Sequence, residues 1–193
     1  RVLTVIAYDG DGLASNTTTS TITVSAGNDA PTLDLDPANA STNYAFTFTE
    51  GNSATAILNA SGTSLADVDS TTFDKVTVAF TQANFADDAS ESLSINGATS
   101  GGTISNLQNL SGSSSGTFTL GGVVYDYSVA LSNSDATATI SFTGDNAAEL
   151  TTAQAEALLD ALRYSNSDQN PTTGSNRVLT VIAYDGDGLA SNT

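Results

Sequence analysis

The chain has no cysteine, histidine, methionine or tryptophan, and only four basic residues against 21 acidic ones. Without cysteine there is no disulfide framework and no thiolate metal site. That does not exclude an extracellular location, because 193 residues can rely on a core and on bound ions. Without histidine or cysteine, and with no nucleophile motif, the chain is not expected to be an enzyme. Two carboxylates can cleave a glycoside, but nothing singles out such a pair. The net charge of −17 repels nucleic acid and anionic membranes and attracts cations. No nucleic-acid partner and no membrane insertion are therefore expected, and no apolar run is long enough to cross a bilayer as a helix. No signal peptide is visible, but the chain starts in mid-pattern, so a larger protein could carry one elsewhere.

What the chain does have is a perfect internal repeat. RVLTVIAYDGDGLASNT occupies residues 1–17 and again residues 177–193, an offset of 176. The simplest explanation is a window cut from a tandem array whose unit is about that long; an engineered overlap is the alternative. Residues 1–29 are then the C-terminal strands of a preceding repeat plus a linker. Residues 30–193 are one repeat that lacks its last strand within this window. Identity at this level suggests a role in which copy number matters, such as length.

Most of the remaining pattern has a period of two and predicts strands. TSTITVSA places Ile22, Val24 and Ala26 on one face, and YAFTFTE places Tyr44, Phe46 and Phe48 on one face. KVTVAF, SLSI and TATISFTG alternate in the same way. TFTLGGVVYDYSVAL predicts a hairpin turning at Gly121-Gly122, with Tyr125, Tyr127, Val129 and Leu131 on one side. RVLTVIAY is apolar on both faces, as expected of a strand inside a packed sheet. One segment is helical. Ala155, Leu158, Leu159 and Leu162 have helical spacing, Thr151 and Gln154 suit a capping box, and Arg163 suits the negative end of the dipole. A short helix is expected at about 152–163, packed by its leucines. SGTSLADVDSTTFD and NGATSGGTISNLQNLSGSSSG predict loops, the second partly mobile, and SAGNDAPTLDLD predicts a linker. Together these give an all-β antiparallel sandwich with one short helix.

Acids gather at Asp9 with Asp11, at Asp185 with Asp187, at Asp29 beside Asn28, at Glu50, and at Asp67 with Asp69. Each group lies at a strand end, in a loop or in the linker, so groups distant in sequence can converge at one pole of a sandwich. Carboxylate and carbonyl oxygens without histidine or cysteine suit a hard cation such as calcium. Solvated charge that keeps the chain soluble accounts for the same residues, and DG alone is a common hairpin turn. DGDG is not an EF-hand loop, since Leu13 stands at the third ligand position and no glutamate closes the loop.

NDAP, FTEG, DVDS, VLTVIAYDGDGLAS and TSTITVSAGNDAP follow one another in the order seen in tandem repeats of giant bacterial adhesins. With the run ALRYSNSDQNPTTGSNRVLTVIAYDGDG, the chain resembles the cadherin-like repeats of RTX-type, type I secreted surface adhesins. The resemblance covers the linker, residues 31–80 and residues 150–193. Residues 81–145 match poorly and suggest an inserted hairpin and loop. It implies an Ig/cadherin-like sandwich with Ca2+ between successive domains. It further implies linker ligands at Asn28 and Asp29, a paired-aspartate loop at Asp67 and Asp69, and a strand-end ligand at Asp185. Asp9 is the counterpart of Asp185 in the preceding repeat, Glu50 would face the next linker along, and Asp11 and Asp187 are less closely matched. Ala26 stands where the family has a further linker acid, which implies fewer ions per junction.

The function expected on this basis is a calcium-stabilised extender of a cell-surface adhesin, extracellular, supporting adhesion or biofilm formation. Its partners would be adjacent copies of the repeat, with host, surface or matrix ligands taken by other domains. The alternatives are an extracellular filament subunit joined by strand complementation, or a carbohydrate- or protein-binding module using Tyr125 and Tyr127.

Overall fold

The period-two segments become antiparallel strands because each finds a partner that buries its apolar face. The computed structural model describes residues 1–59 and 62–192. Residues 60, 61 and 193, the last of which ends the second repeat copy, lie outside the described residues. β1 (Val2–Val5) and β2 (Thr18–Thr21) pair with each other. β3 (Thr32–Asp34), β4 (Thr55–Ala56) and β5 (Ser64–Ala66) are short, and β3 pairs with β5. β6 (Thr72–Thr81) is long, followed by β7 (Glu91–Ile95) and β8 (Thr103–Ser105). Next come β9 (Ser115–Leu120), β10 (Val123–Ser132), β11 (Thr137–Gly144) and β12 (Leu150–Thr151). The helix α1 (Thr152–Ala161) leads directly into β13 (Leu162–Asn166), and β14 (Thr180–Asp185) ends the second repeat copy's strand.

Two antiparallel sheets form the sandwich. In one, β14 pairs along one edge of β6, and β11 followed by β12 pairs along the other, with β10 and β9 continuing outward from β11; the other runs β4–β13–β7–β8. Val76, Val78 and Phe80 of β6, Ile140 and Phe142 of β11, and Leu93 and Tyr164 of the second sheet belong to one buried core. Phe80 lies 4.7 Å from Phe85 between ring centroids, and Phe85 lies 6.3 Å from Tyr164, so aromatic contacts tie the two sheets together. The chain is thus an all-β antiparallel sandwich with one short helix, as its periodicity predicts.

The helix starts where its cap requires. Thr151 Oγ1 accepts from the Gln154 N–H at 3.3 Å, and Gln154 Oε1 accepts from the Thr151 N–H at 2.8 Å. Ala155, Leu158 and Leu159 are fully buried, and each leucine stabilises by about 2 kcal/mol. The helix ends at Ala161 rather than 163, because Leu162 and Arg163 are drawn into β13, where they pair with Ile95 and Ser94. Arg163 still serves the helix end, donating to the Asp160 carbonyl at 2.6 Å. The hairpin turns at Gly121 and Gly122, whose φ values of 58° and 83° suit glycine in a primed turn. Tyr125 stacks on Phe118 at 5.2 Å inside the core, which removes it from any sugar-stacking role.

Other expectations are corrected. YAFTFTE forms no strand, since no described segment pairs with it; Tyr44 stacks on Phe46 at 6.1 Å, and Phe48 meets Tyr164 edge-on at 5.1 Å. Of TSTITVSA only the first three residues are strand, as the end of β2 (Thr18–Thr21). The stretch expected as a mobile loop contains β8 and a 3-10 turn at Leu107–Asn109, anchored by buried Ile104, Leu107 and Leu110. SGTSLADVDSTTFD likewise contains β5 and the start of β6. Residues 1–30 are exposed throughout, so the core is built from residue 31 onward.

Candidate metal centre

The DGDG turn folds the same way in both copies because its chemistry is local. Asp9 Oδ1 accepts from the N–H groups of Asp11 at 3.0 Å and Leu13 at 2.8 Å. Asp185 Oδ1 accepts from Asp187 at 3.0 Å and Leu189 at 2.8 Å. One carboxylate oxygen thus organises the turn and leaves the other free. The surroundings then separate the copies. Asp9 and Asp11 are exposed, whereas Asp185 is completely buried at the end of β14. A bulge between Tyr184 and Asp185 shifts the register so that Asp185 stands opposite Phe73.

The remaining oxygen of Asp185 meets the linker: Asn28 Nδ2 donates to Asp185 Oδ2 at 2.7 Å. The next linker residue reaches the other acidic loop, as the Asp29 N–H donates to Asp69 Oδ2 at 3.1 Å. Asp67 Oδ1 accepts from the N–H groups of Asp69 at 3.1 Å and Ser70 at 3.2 Å. The other oxygen, Asp67 Oδ2, is buried with no donor. Its neighbour is the Asp69 carboxyl, which can donate only when protonated. Burial raises the Asp67 pKa, but the Asp69 N–H, the Asp69 carboxyl and the Ser70 N–H outweigh it and hold Asp67 below the ordinary carboxylate value. Asp69 is held above it, first by its hydrogen bond with Asp67 and further by the charges of Asp67 and Asp29.

The helix positions this loop from both sides. Glu156 Oε1 accepts from the Leu65 N–H at 3.0 Å, and Asp160 Oδ1 from the Thr63 N–H at 2.8 Å. The Thr152 N–H donates to the Thr71 carbonyl at 3.2 Å. Asn192, in the second repeat copy, completes the linker's seat by pairing with both backbone groups of Leu33, at 2.8 and 2.9 Å.

Asn28, Asp29, Asp67, Asp69 and Asp185 are therefore joined through the linker. Glu50 lies exposed in the turn at 49–52, Asp187 is exposed beside its turn, and Asp9 and Asp11 belong to the exposed first copy. Among the described residues no side chain of these four is hydrogen-bonded to the linker group; Asp187 meets it only through its backbone N–H, which donates to Asp185. Nor is any group of three or more acidic side chains among the described residues arranged to hold a metal ion. The linker instead touches two separate sets, the Asp67–Asp69 carboxylate pair through the Asp29 N–H and the strand-end carboxylate of Asp185 through the Asn28 amide. Asn28 turns its nitrogen toward Asp185, and a cation would face the amide oxygen instead. A buried carboxylate oxygen with no donor, beside a second carboxyl whose ionisation it disfavours, is a pair of hard oxygen donors of the kind a hard cation takes.

One buried cluster escaped the sequence reading. Arg177 donates from Nη2 to Asp87 Oδ2 at 2.9 Å and from Nε to Glu91 Oε1 at 2.8 Å. Tyr164 donates to Glu91 Oε1 at 2.5 Å, and Asn166 to Asp87 Oδ2 at 2.6 Å. Arg177 also donates to the carbonyls of Thr172 at 2.6 Å and Ser175 at 3.0 Å, which ties the segment before β14 to the second sheet. Burial, then the Glu91 carboxylate, pushes the Tyr164 hydroxyl pKa well above its ordinary value. The only sequence signal was the scarcity of basic residues, which makes each arginine conspicuous.

No protein-family model, curated protein or solved structure matches the chain.

Proposed function

We propose that the chain is a calcium-stabilised structural extender, part of a large bacterial cell-surface adhesin that acts outside the cell in adhesion or biofilm formation. One observation carries the reading: adjacent linker residues, Asn28 and Asp29, bond to two separate acidic elements of the following sandwich. The linker is the hinge of a tandem array, so an ion held there by Asp67, Asp69, Asp185, Asp29 and the Asn28 amide oxygen would couple linker to domain. Calcium would supply charge neutralisation where carboxylates otherwise repel. The chain's own residues orient those oxygens and restrict the swivel of the linker. The resemblance to cadherin-like adhesin repeats and the exact internal repeat support the same reading.

Extracellular modules bind calcium at roughly 10⁻⁴ to 10⁻³ M. At ten times the dissociation constant one site adds about 1.4 kcal/mol to the folded state. Thermal melting with calcium, with magnesium and with chelator tests this. Calcium should raise the midpoint, and Asp67→Ala with Asp69→Ala should remove the response. A midpoint indifferent to calcium would sink the proposal.

A further inference from the structure

β7 and β8 form a hairpin whose tip crosses to the other sheet. Ser94 pairs with Thr103, and the Ile95 N–H donates to the Gly102 carbonyl at 2.7 Å. The tip, residues 96–102, runs along the outer edge of β9. The Thr99 N–H donates to the Thr119 carbonyl at 2.9 Å, so Thr119 points away from β10, and alternation turns Thr117 the same way. Gly101 lies so close that a Cβ there would stand 2.3 Å from the Thr117 carbonyl oxygen. The tip thereby covers an edge that could otherwise pair with another chain.

The tip opens on the chain's one Asn-Gly pair, Asn96-Gly97. The Ala98 N–H donates to the Ile95 carbonyl at 3.2 Å and Gly97 has a φ of 84°, which makes a β-turn with this pair at its centre. Both residues are exposed. Among the described residues neither the Asn96 carboxamide nor the Gly97 N–H has a hydrogen-bond partner.

We propose that Asn96 is a site of spontaneous deamidation whose product releases this cover. The Gly97 nitrogen gives its proton to solvent and attacks Cγ of Asn96. The new C–N bond closes a cyclic imide, the Cγ–Nδ2 bond breaks, and Nδ2 takes a proton from water and leaves as ammonia. A water molecule then opens the ring at either carbonyl. One product is aspartate; the other is isoaspartate, in which the main chain runs through Cγ. Nothing is oxidised or reduced.

Glycine has no side chain to shield its nitrogen, so this pair reacts ahead of pairs such as Asn28-Asp29, whose amide is also held by Asp185. The Asp-Gly pairs are locked in their turns. Asp9 and Asp185 each accept two N–H groups, and the Gly12 and Gly188 N–H groups donate to the Asp9 and Asp185 carbonyls, both at 3.1 Å. At Asn96 the attack needs the Gly97 nitrogen to turn back onto its own side chain. That rotation breaks the one bond that closes the turn, so the fold slows the reaction about tenfold against an open peptide.

Isoaspartate adds a methylene to the main chain between Ile95 and Ala98. The tip is packed too closely to take it up in place, since a Cβ at Gly102 would already stand 2.9 Å from the Ala98 Cβ. The Thr99–Thr119 bond and the Gly101–Thr117 contact are then lost, and the outer edge of β9 is bared. The turn acts as a clock: an aged chain exposes a pairing edge that a new one covers. It uses none of the acidic linker residues and is independent of calcium.

Ageing the intact chain at mildly alkaline pH, followed by peptide mapping and amide hydrogen exchange, tests the proposal. Asn96 should convert ahead of every other asparagine, to both aspartyl and isoaspartyl products. A sample unfolded in urea should convert at the same site about tenfold faster. In the isoaspartyl chain the Thr99 N–H should lose about tenfold or more of its exchange protection, while the amides of β10 and β11 keep theirs. Asn96→Ser removes the carboxamide and should keep Thr99 protected throughout ageing. Another asparagine converting first, Thr99 protection that survives isoaspartate formation, or an equal loss of protection in aged Asn96→Ser would each overturn it.

Discussion

Asn28 donates to Asp185 across 2.7 Å although 157 residues separate them. That bond gives the second repeat copy a role the first does not have. The turn around Asp9 is locally the same, but no linker residue reaches it and no core covers it.

The difference is measurable by urea unfolding. Asp185→Ala should cost about 1–3 kcal/mol, because the N–H groups of Asp187 and Leu189 and the Asn28 amide lose a buried, charged acceptor. Asp9→Ala removes the same local bonds at an exposed turn and should stay within about 0.5 kcal/mol. Equal losses would mean that the buried setting of Asp185 adds nothing.

The Asp67–Asp69 pair gives a pH signature. Asp69 has a raised pKa, so its contribution is favourable while protonated and is lost as pH rises through the folded value. Asp67 has a lowered pKa and contributes above the ordinary carboxylate range, losing this as pH falls through its folded value. In chelator at neutral pH, Asp69→Asn should therefore melt above the parent, and the gap should close in acid. In calcium the order should reverse, because the variant loses a charged ligand. Melting curves over pH in both buffers check each half.

Arg177 neutralises two buried carboxylates, Asp87 and Glu91. Arg177→Met should cost about 3–5 kcal/mol by leaving their charge uncompensated. Arg1→Met, the same position in the exposed first copy, should be close to neutral. Guanidinium denaturation of the two variants side by side separates a buried network from a surface charge.

The helix cap is a further local check. Thr151→Ala should cost about 1 kcal/mol through loss of the bond to the Gln154 N–H. Circular dichroism during denaturant unfolding reads the change. An unaltered midpoint would mean that packing of Leu158 and Leu159 alone sets the helix start.

What could be seen in the sequence was what neighbours along the chain decide. The capping box, the buried stripe from Ala155 to Leu159, the Gly121-Gly122 turn and the alternation of β6 and β11 all depend on residues a few positions apart. The linker and loop members of the candidate site were also visible as acids at strand ends. What failed needed a partner. YAFTFTE has strand alternation but no described strand beside it, and residues 103–110 look polar yet are anchored by three apolar side chains.

The repeat shows the division most directly. Seventeen identical residues determine the same turn twice, down to the bonds from Asp9 and Asp185, because those bonds close within five residues of chain. Whether the strand leading into that turn is an exposed ribbon or a core strand is decided elsewhere. Val5 pairs with Thr18 and stays exposed, while Val181 pairs with Val78 of β6 and is buried. Identical sequence carries identical local preference, but hydrogen-bonding edges and apolar faces are satisfied only by what the fold brings beside them.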